Sequence, residues 1–235
     1  MSFWSRLLGR STPAPNPALL VRLQALPKPA PLDQYRLDRD RFVVIDLETT
    51  GLDVRRDDIL SVGAVAIEAG RIALGDQFER TVRRSGKRTL TNVLIHGLSP
   101  STLSRGEPLD TVLLDLLEYV GTSPLLAFHA PFDEAMLKRA LRRTLNYRLE
   151  HPFTDVAPIA SALCRERAPK HNSLDLWLQE FGLGVSSRHN AAADALATAE
   201  LFLILLRFAR NQGIHYLSDL LDKTGLQQRL QAMRP

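Results

Sequence analysis

The pattern of hydrophobic and polar positions changes near Arg41, from a proline-rich leader to alternating strand and helix patterns. Residues 42–47 are apolar on both faces, which is typical of a central strand covered on both sides. Ala69-Gly70 separates two longer runs and predicts the turn of a hairpin. The chain thus predicts strands at residues 42–47, 59–68, 71–82, 125–128 and 151–154.

Helical spacing of apolar residues lies between and after these strands. The residues at positions 113, 116, 117 and 120 form one apolar stripe, and Pro131 suits the first position of the next helix. The pattern predicts helices at residues 109–120, 132–145, 156–165, 173–181, 190–210 and 214–230. A hairpin beside strands that alternate with helices indicates an α/β fold with a mixed five-stranded sheet flanked by helices.

The ends of the chain predict two segments outside a central domain. Six of the 14 prolines lie between Pro13 and Pro31, a spacing that favours extended chain, although residues 18–26 could form a short helix. We expect a proline-rich N-terminal extension at 1–40, a domain at 41–211, and a helical tail at 212–235 packed on or extending that domain. The extension is either a solvated leader or a segment that docks on the body or on a partner, using an apolar patch of Trp4, Leu7 and Leu8.

Composition narrows the class of protein. The 30 basic and 26 acidic residues give a formal net charge of +4, which is compatible with a polyanionic partner but not with a DNA-coating protein. Cys164 is the only cysteine, so a disulfide within the chain or a cysteine-based zinc site is excluded. The N-terminus is too short in apolar residues for a signal peptide, and no stretch approaches the ~18 apolar residues of a membrane span. We therefore expect a cytoplasmic protein without a membrane partner.

The strongest chemical signal is residues 42–51, FVVIDLETTG, where Asp46 and Glu48 end an apolar run before Gly51. Strand residues two apart point the same way, roughly 6.6 Å apart along the axis. Both carboxylates therefore lie on one side of a strand end, where a desolvated unpaired charge is costly. Gly51 permits a sharp turn and close backbone approach to a bound group. Oxygen ligands of this kind suit magnesium or manganese.

Two later segments supply further acidic residues and a histidine. Asp133 lies in the first turn of its predicted helix, where the macrodipole favours negative charge, so taken alone it has a structural explanation. His189 and Asp194 are five positions apart and would lie about 140° apart on one straight helix. The better interpretation puts His189 on a loop and Asp194 inside a helix that begins near Asn190. From a loop, the histidine can swing toward water at the metal while Asp194 stays fixed as a ligand.

These motifs, in this order and spacing, resemble those of the DEDDh exonucleases, the group that contains the proofreading (epsilon) subunit of bacterial DNA polymerase III. The first motif is similar to the family's Asp-x-Glu-Thr-Thr-Gly, Asp133 matches the acidic residue of the second, and His189 with Asp194 matches the third. Residues 95–99 resemble a segment of the family that lies near the substrate. Residues 172–175 resemble a recurring structural segment of the family before the last motif. The resemblance extends over roughly residues 41–210.

The resemblance implies a ribonuclease H-like fold and two divalent cations, Mg²⁺ or Mn²⁺. It implies metal ligands at Asp46, Glu48, Asp133 and Asp194. Two cations about 3.5–4 Å apart would clamp the attacking and leaving oxygens and activate the nucleophilic water. His189 would be the general base, because a histidine can take up a proton at neutral pH.

The resemblance also implies contacts with the substrate. Thr49 and the backbone before Gly51 would lie against the terminal nucleotide, and His96 could reach its sugar or phosphate. Many relatives carry His-Asn before the second motif where this chain has Phe128-His129, so the pocket there can differ, and with it the preference for a nucleic acid or a terminal base. His129 is then either a substitute polar contact or a packed strand-end residue.

Together these features predict a 3'-to-5' exonuclease that acts on a DNA 3' end, preferably single-stranded or frayed, and releases nucleoside 5'-monophosphates. Degradation of RNA or short oligonucleotides is the first alternative, and a non-catalytic polymerase-associated module is the second. A polymerase or regulatory protein could bind through the N-terminal extension. Most basic clusters are typical of solvated faces, although one or two could line the path of a single strand; they lie at residues 83–84, 87–88, 138–139, 142–143 and 165–170.

Overall fold

The computed structural model describes residues 17–84, 98–184 and 189–232. Within these ranges five strands form one sheet in the order β3-β2-β1-β4-β5. The strands are β1 (Arg41–Thr49), β2 (Ile59–Glu68), β3 (Arg71–Thr81), β4 (Leu125–Ala127) and β5 (Phe153–Asp155). β2 pairs antiparallel with both β1 and β3, whereas β1, β4 and β5 run parallel. The predicted mixed five-stranded sheet is confirmed.

Helices cover both faces of this sheet. Their bounds are α1 (Pro17–Gln24), α2 (Pro100–Arg105), α3 (Leu109–Val120), α4 (Pro131–Leu145), α5 (Val156–Leu163), α6 (Leu174–Glu180), α7 (Ala191–Asn211) and α8 (Leu217–Ala232). Only α2 was not predicted, because it is six residues long and buries a single side chain, Leu103. Short 3₁₀ turns at Leu32–Gln34 and Arg165–Arg167 complete the described elements.

The central strand β1 separates two hydrophobic cores. Phe42 and Val44 belong to the core shared with α5, α7 and α8, whereas Val43 and Ile45 belong to the core shared with α3 and α4. Successive strand residues point to opposite faces, so both sets are buried only because helices cover both faces. Burial of both faces of β1 explains why its apolar run in the sequence is uninterrupted.

Helix α1, within the predicted extension, packs on the body. Its Leu19 is buried in the core that contains α3, and Arg22 forms ion pairs with Asp115 and Glu118 of α3, each at 2.6 Å. The apolar patch predicted at Trp4, Leu7 and Leu8 lies outside the described residues.

The end of the extension also contacts the tail. The Leu37 amide donates to the His215 carbonyl at 2.9 Å, and the Leu217 amide donates to the Tyr35 carbonyl at 2.9 Å. The Tyr35 hydroxyl donates to the Thr122 carbonyl at 2.6 Å, which ties the same segment to the loop before β4. Both terminal segments thus contact the predicted domain and each other, and the divisions at residues 40 and 211 stay a prediction.

No helix in the described part of the chain has both the length and the apolar character that crossing a bilayer requires.

Candidate active site

Strand β1 carries Asp46 and Glu48 on the face that is covered by α7. Both have the same parity as Phe42 and Val44, whose side chains pack against α7 and its neighbours. Glu48 is only 5% exposed, and Asp46 is half-buried. The strand therefore aims two carboxylates into the protein at the point where its apolar run ends.

Helix α7 supplies the third carboxylate from its first turn. Asn190 caps the helix by accepting a hydrogen bond from the Ala193 amide at 2.9 Å. Asp194 lies in that turn, is 6% exposed, and accepts a hydrogen bond from the His189 amide at 3.1 Å. His189 itself precedes the helix in a left-handed conformation (φ 62°), and its side chain is exposed. The histidine lies on a loop and the aspartate on the helix, as the sequence predicted.

One carboxylate oxygen from each of Asp46, Glu48 and Asp194 lies within 4.8 Å of the other two. Like charges so close and so poorly solvated repel, and a divalent cation is the group that compensates them. Their hard oxygen donors suit Mg²⁺ or Mn²⁺. These three residues could therefore hold a metal ion.

Asp133, in the first turn of α4, approaches this group from the opposite helical layer but is not one of its three members. It is 6% exposed, and burial raises the pKa of its carboxyl to about 7. Backbone hydrogen bonds from Asp133 and Leu47 oppose that increase, while the charges of Asp155 and Glu48 add to it. Asp133 thus lies beside the end of β1, close enough to sense the charge of Glu48.

Asp155 is a residue near the site that sequence reasoning missed. It ends β5, and its carboxylate accepts hydrogen bonds from the Ala157 amide at 3.1 Å and the His129 amide at 2.9 Å. It therefore caps α5, fixes the chain just before α4, and raises the pKa of Asp133. The available signal was an aspartate at the junction of a predicted strand and helix.

The turn after β1 is fixed by short hydrogen bonds. The Thr49 hydroxyl donates to the Gly51 carbonyl at 2.7 Å, and the Thr50 hydroxyl donates to Asp57 at 2.8 Å. A Cβ atom on Gly51 would lie 2.6 Å from the Asp57 carboxylate, so a larger residue would displace that carboxylate from its hydrogen bonds with Thr50 and Asp53. Arg139 of α4 donates to the Arg55 carbonyl at 2.9 Å and also to the Asp57 carbonyl. The loop beside the carboxylates is thus held against the helix that carries Asp133.

The sequence also predicts substrate contacts at two further histidines, His129 and His96. His129 lies between β4 and α4 with φ 60°, is exposed, and stacks edge-on against Phe128 with ring centroids 4.7 Å apart. His96 lies outside the described residues.

Residues 43–202 match the RNase_T family model, which is described as an exonuclease. A DNA polymerase III PolC-type protein of Thermotoga petrophila is 31% identical over 179 residues, which is 76% of this chain but 13% of that protein. A DNA polymerase III subunit epsilon-like protein of Rhodobacter capsulatus is 30% identical over 186 residues, 78% of this chain and 26% of that protein. The chain therefore spans about a quarter or less of the length of these relatives.

Solved structures of exonucleases share the fold. The zinc-bound complex of E. coli ExoI with single-stranded DNA has a TM-score of 0.65 and 18% identity, covering 84% of this chain and 46% of that one. Exonuclease X in complex with 5' overhanging duplex DNA has a TM-score of 0.57 and 21% identity, covering 78% of this chain and 99% of that one. The predicted ribonuclease H-like fold is confirmed.

The pKa of Asp133 predicts how the stability of the metal-free protein depends on pH. Because the folded-state pKa is about 7 and the unfolded value is about 3.9, the folded state binds more protons between these values, and stability falls as pH rises through 7. Asp133→Asn removes that loss, so with chelator at pH 8 the variant should exceed the wild type in free energy of unfolding by a few kcal/mol, at about 1.4 kcal/mol per pKa unit. Urea denaturation at pH 5 and pH 8 measures this.

At pH 5 the excess stability of Asp133→Asn over wild type should shrink to about a third of its value at pH 8, because pH 5 lies inside the window between the unfolded and folded pKa values. Asp222→Asn, which changes an exposed carboxylate on α8, is the control and should match the wild type at both pH values. An Asp133→Asn protein less stable than wild type at pH 8 would contradict a buried, proton-holding carboxyl.

Proposed function

The chain belongs to the RNase_T exonuclease family, and we propose that it is a metal-dependent 3'-to-5' exonuclease that releases nucleoside 5'-monophosphates from DNA. The observation that carries this proposal is the group formed by Asp46, Glu48 and Asp194, each of which places one carboxylate oxygen within 4.8 Å of the other two. Carboxylate oxygens that converge at one strand end form a donor set that suits a divalent cation. A family model that covers residues 43–202 supports phosphodiester hydrolysis as the use of that cation.

We assign the metal ligands to four carboxylates, Asp46, Glu48, Asp133 and Asp194, and the cofactor to two divalent cations, Mg²⁺ or Mn²⁺. When bound, such cations lower the pKa of water and neutralise charge that develops on the phosphate oxygens. Asp133 reaches the site from α4 rather than from the α7 side. Its raised pKa means that a nearby positive charge would favour release of its proton, so metal binding and ionisation of Asp133 are coupled.

His189 is the proposed general base. Its amide donates to the Asp194 carboxylate at 3.1 Å, so the loop that carries the imidazole is attached to the metal-binding helix. Its exposed side chain can meet water and substrate from the open side of the site. In the proposed step water attacks phosphorus, His189 accepts the proton, and the bond from phosphorus to the 3'-oxygen of the preceding nucleotide breaks.

Thr49, His129 and His96 are the proposed contacts with the terminal nucleotide. Thr49 supports this through its position, because its hydroxyl fixes the turn directly after Glu48. The hydrogen bond from the His129 amide to Asp155 fixes the backbone of His129, whose imidazole is exposed, two residues before α4 begins and four residues before Asp133. A nucleotide held by these groups would have its scissile bond beside the carboxylates.

A basic surface beside the site supports an extended nucleic-acid strand as the substrate. Arg139 binds the carbonyls of Arg55 and Asp57, which brings the Arg55 loop against α4. Arg142 and Arg143, one turn further along α4, are exposed, as is Arg55. Phosphate contacts of this kind position a strand without reading its sequence. The relatives are polymerase III proteins, which favours DNA over RNA.

Asp46→Ala tests the metal-dependent nuclease. We expect degradation of 5'-labelled DNA with Mg²⁺ or Mn²⁺ to fall by at least about 10³-fold, since the variant removes a metal ligand, while circular dichroism stays unchanged. The control Asp222→Ala, an exposed acid on α8, should retain wild-type rates. Retained activity in purified Asp46→Ala protein would overturn the proposal.

The same assay identifies the substrate when it is run on single-stranded, duplex, mismatched and RNA ends of one sequence. Shortening of 5'-labelled single-stranded DNA one nucleotide at a time, with loss of that activity when the 3' end is blocked, is the expected result. Faster degradation of RNA or of short oligonucleotides would replace DNA as the substrate and leave the chemistry intact.

His189→Ala separates the base from the ligands. Turnover should fall about 10²–10⁴-fold, the usual contribution of a general base, while Mn²⁺ affinity measured by calorimetry changes by less than about threefold. His215→Ala, an exposed histidine between α7 and α8, is the matched control. If metal affinity and turnover fall together in His189→Ala, the assignment as base is wrong.

We also propose a polymerase as protein partner, bound through the N-terminal extension. Val21 and Leu20 of α1 are 67% and 39% exposed, although the same helix is anchored by Arg22 to α3. An apolar face on an anchored helix suits a protein contact. Val21→Asp should weaken binding of a purified polymerase III catalytic subunit at least tenfold, whereas Leu74→Asp, also exposed but on β3, should not. Equal effects of the two variants would remove α1 from the interface.

A further inference from the structure

Gly63 of β2 lies directly opposite Asp46 of β1 in the antiparallel ladder. Opposed residues of two strands point to the same face, so Gly63 leaves an open position beside the Asp46 side chain, on the face covered by α7. The backbone of α7 occupies that position. A Cβ atom on Gly63 would lie 2.1 Å from the Ala191 carbonyl carbon and 2.2 Å from the Ala192 nitrogen.

The contact that Gly63 permits is with the first turn of α7, the turn that carries Asp194. Ala191 and Ala192 are the first two residues of this helix, and Asp194 follows within the same turn. The atoms that a Cβ would meet belong to the backbone, so no rotation of a side chain can relieve the overlap. Helix α7 would have to move away by roughly 1.5 Å to restore normal van der Waals separation.

Such a movement would act on the carboxylate group itself. Asp46 and Glu48 are fixed in β1, whereas Asp194 and the His189 loop move with α7. Asp194 would then leave the 4.8 Å grouping that all three carboxylates now share. A displacement of 1 Å at a reacting centre can cost on the order of 100-fold in rate.

We propose that Gly63 is a positioning residue that sets the distance of Asp194 and His189 from the carboxylates of β1. The expected effect of a Gly63 substitution on turnover rests on the proposed function, whereas the expected effect on metal binding does not depend on nuclease activity. Strand β2 would thus control how closely Asp194 of α7 approaches the carboxylates of β1, although β2 contributes no acidic residue to the group.

Another glycine provides a matched control for the steric argument. A Cβ atom on Gly106, after α2, would lie 2.7 Å from the Arg83 nitrogen and from the Thr81 carbonyl oxygen, again backbone atoms. Gly106 contacts the end of β3 and none of the carboxylates in the group. Substitution at either glycine should reduce stability, but only substitution at Gly63 should change the metal site.

The experiment compares Gly63→Ala with Gly106→Ala in the full-length chain. Titration with Mn²⁺ by calorimetry should show affinity about 10–100-fold weaker for Gly63→Ala and within about threefold of wild type for Gly106→Ala. Turnover of single-stranded DNA should fall in Gly63→Ala and recover in part at saturating Mn²⁺. Wild-type Mn²⁺ affinity in folded Gly63→Ala, or an equal loss in Gly106→Ala, would overturn the proposal.

A second pair of variants covers the case in which Gly63→Ala does not fold. Ala195 and Ala209 are fully buried alanines of α7, one beside Asp194 and the other near the far end of the helix. Ala195→Val should lift the first turn and weaken Mn²⁺ binding at least about tenfold, whereas Ala209→Val should lower stability alone. Equal Mn²⁺ affinities in these two variants would contradict control by the approach of α7.

Failure of this inference is distinguishable from failure of the proposed function. Wild-type protein that binds Mn²⁺ but degrades no nucleic acid would remove the nuclease and leave the comparison of metal affinities valid. Wild-type protein that degrades DNA, with unchanged Mn²⁺ affinity in Gly63→Ala and Ala195→Val, would remove only the role of Gly63.

Discussion

Repulsion between carboxylates is the interaction that the rest of this structure has to oppose. Asp46, Glu48 and Asp194 each place one carboxylate oxygen within 4.8 Å of the other two, and two of the three residues are nearly inaccessible to water. Low solvation strengthens the repulsion, so rigid elements with large buried faces are needed to hold the three side chains in place. The two hydrophobic cores on either side of β1 provide that rigidity.

The sheet brings the acidic residues together by using both of its faces. β1 aims Asp46 and Glu48 toward α7, while α4, on the other layer, brings Asp133 to the same strand end. Each helix is anchored near its first turn: α7 by the Asn190 cap, and the chain before α4 by Asp155. Helix N-termini favour negative charge, which offsets part of the cost of placing aspartates there.

The segments beyond the central part of the chain strengthen this frame at a distance from the carboxylates. Arg22 attaches α1 to α3, and a hydrogen bond from the Leu37 amide to the His215 carbonyl joins the N-terminal extension to the tail. Arg139 holds the loop that follows β1 against α4, because its guanidinium donates hydrogen bonds to two backbone carbonyls of that loop. Binding surfaces can then be rigid without belonging to the regular elements.

The sequence alone determined most of the elements and the residue types of the candidate site. The bounds of β2 and α3 agree with the predicted ones because apolar periodicity is a local property of the sequence. The spacing of Asp46 and Glu48 is local too. Tertiary structure alone decided which residues meet. The pKa of Asp133 is raised first by its burial and then by the charges of Asp155 and Glu48 on other strands, and the proposed steric role of Gly63 needs the first turn of α7. Burial and close approach depend on segments distant in the chain, and no local pattern records them.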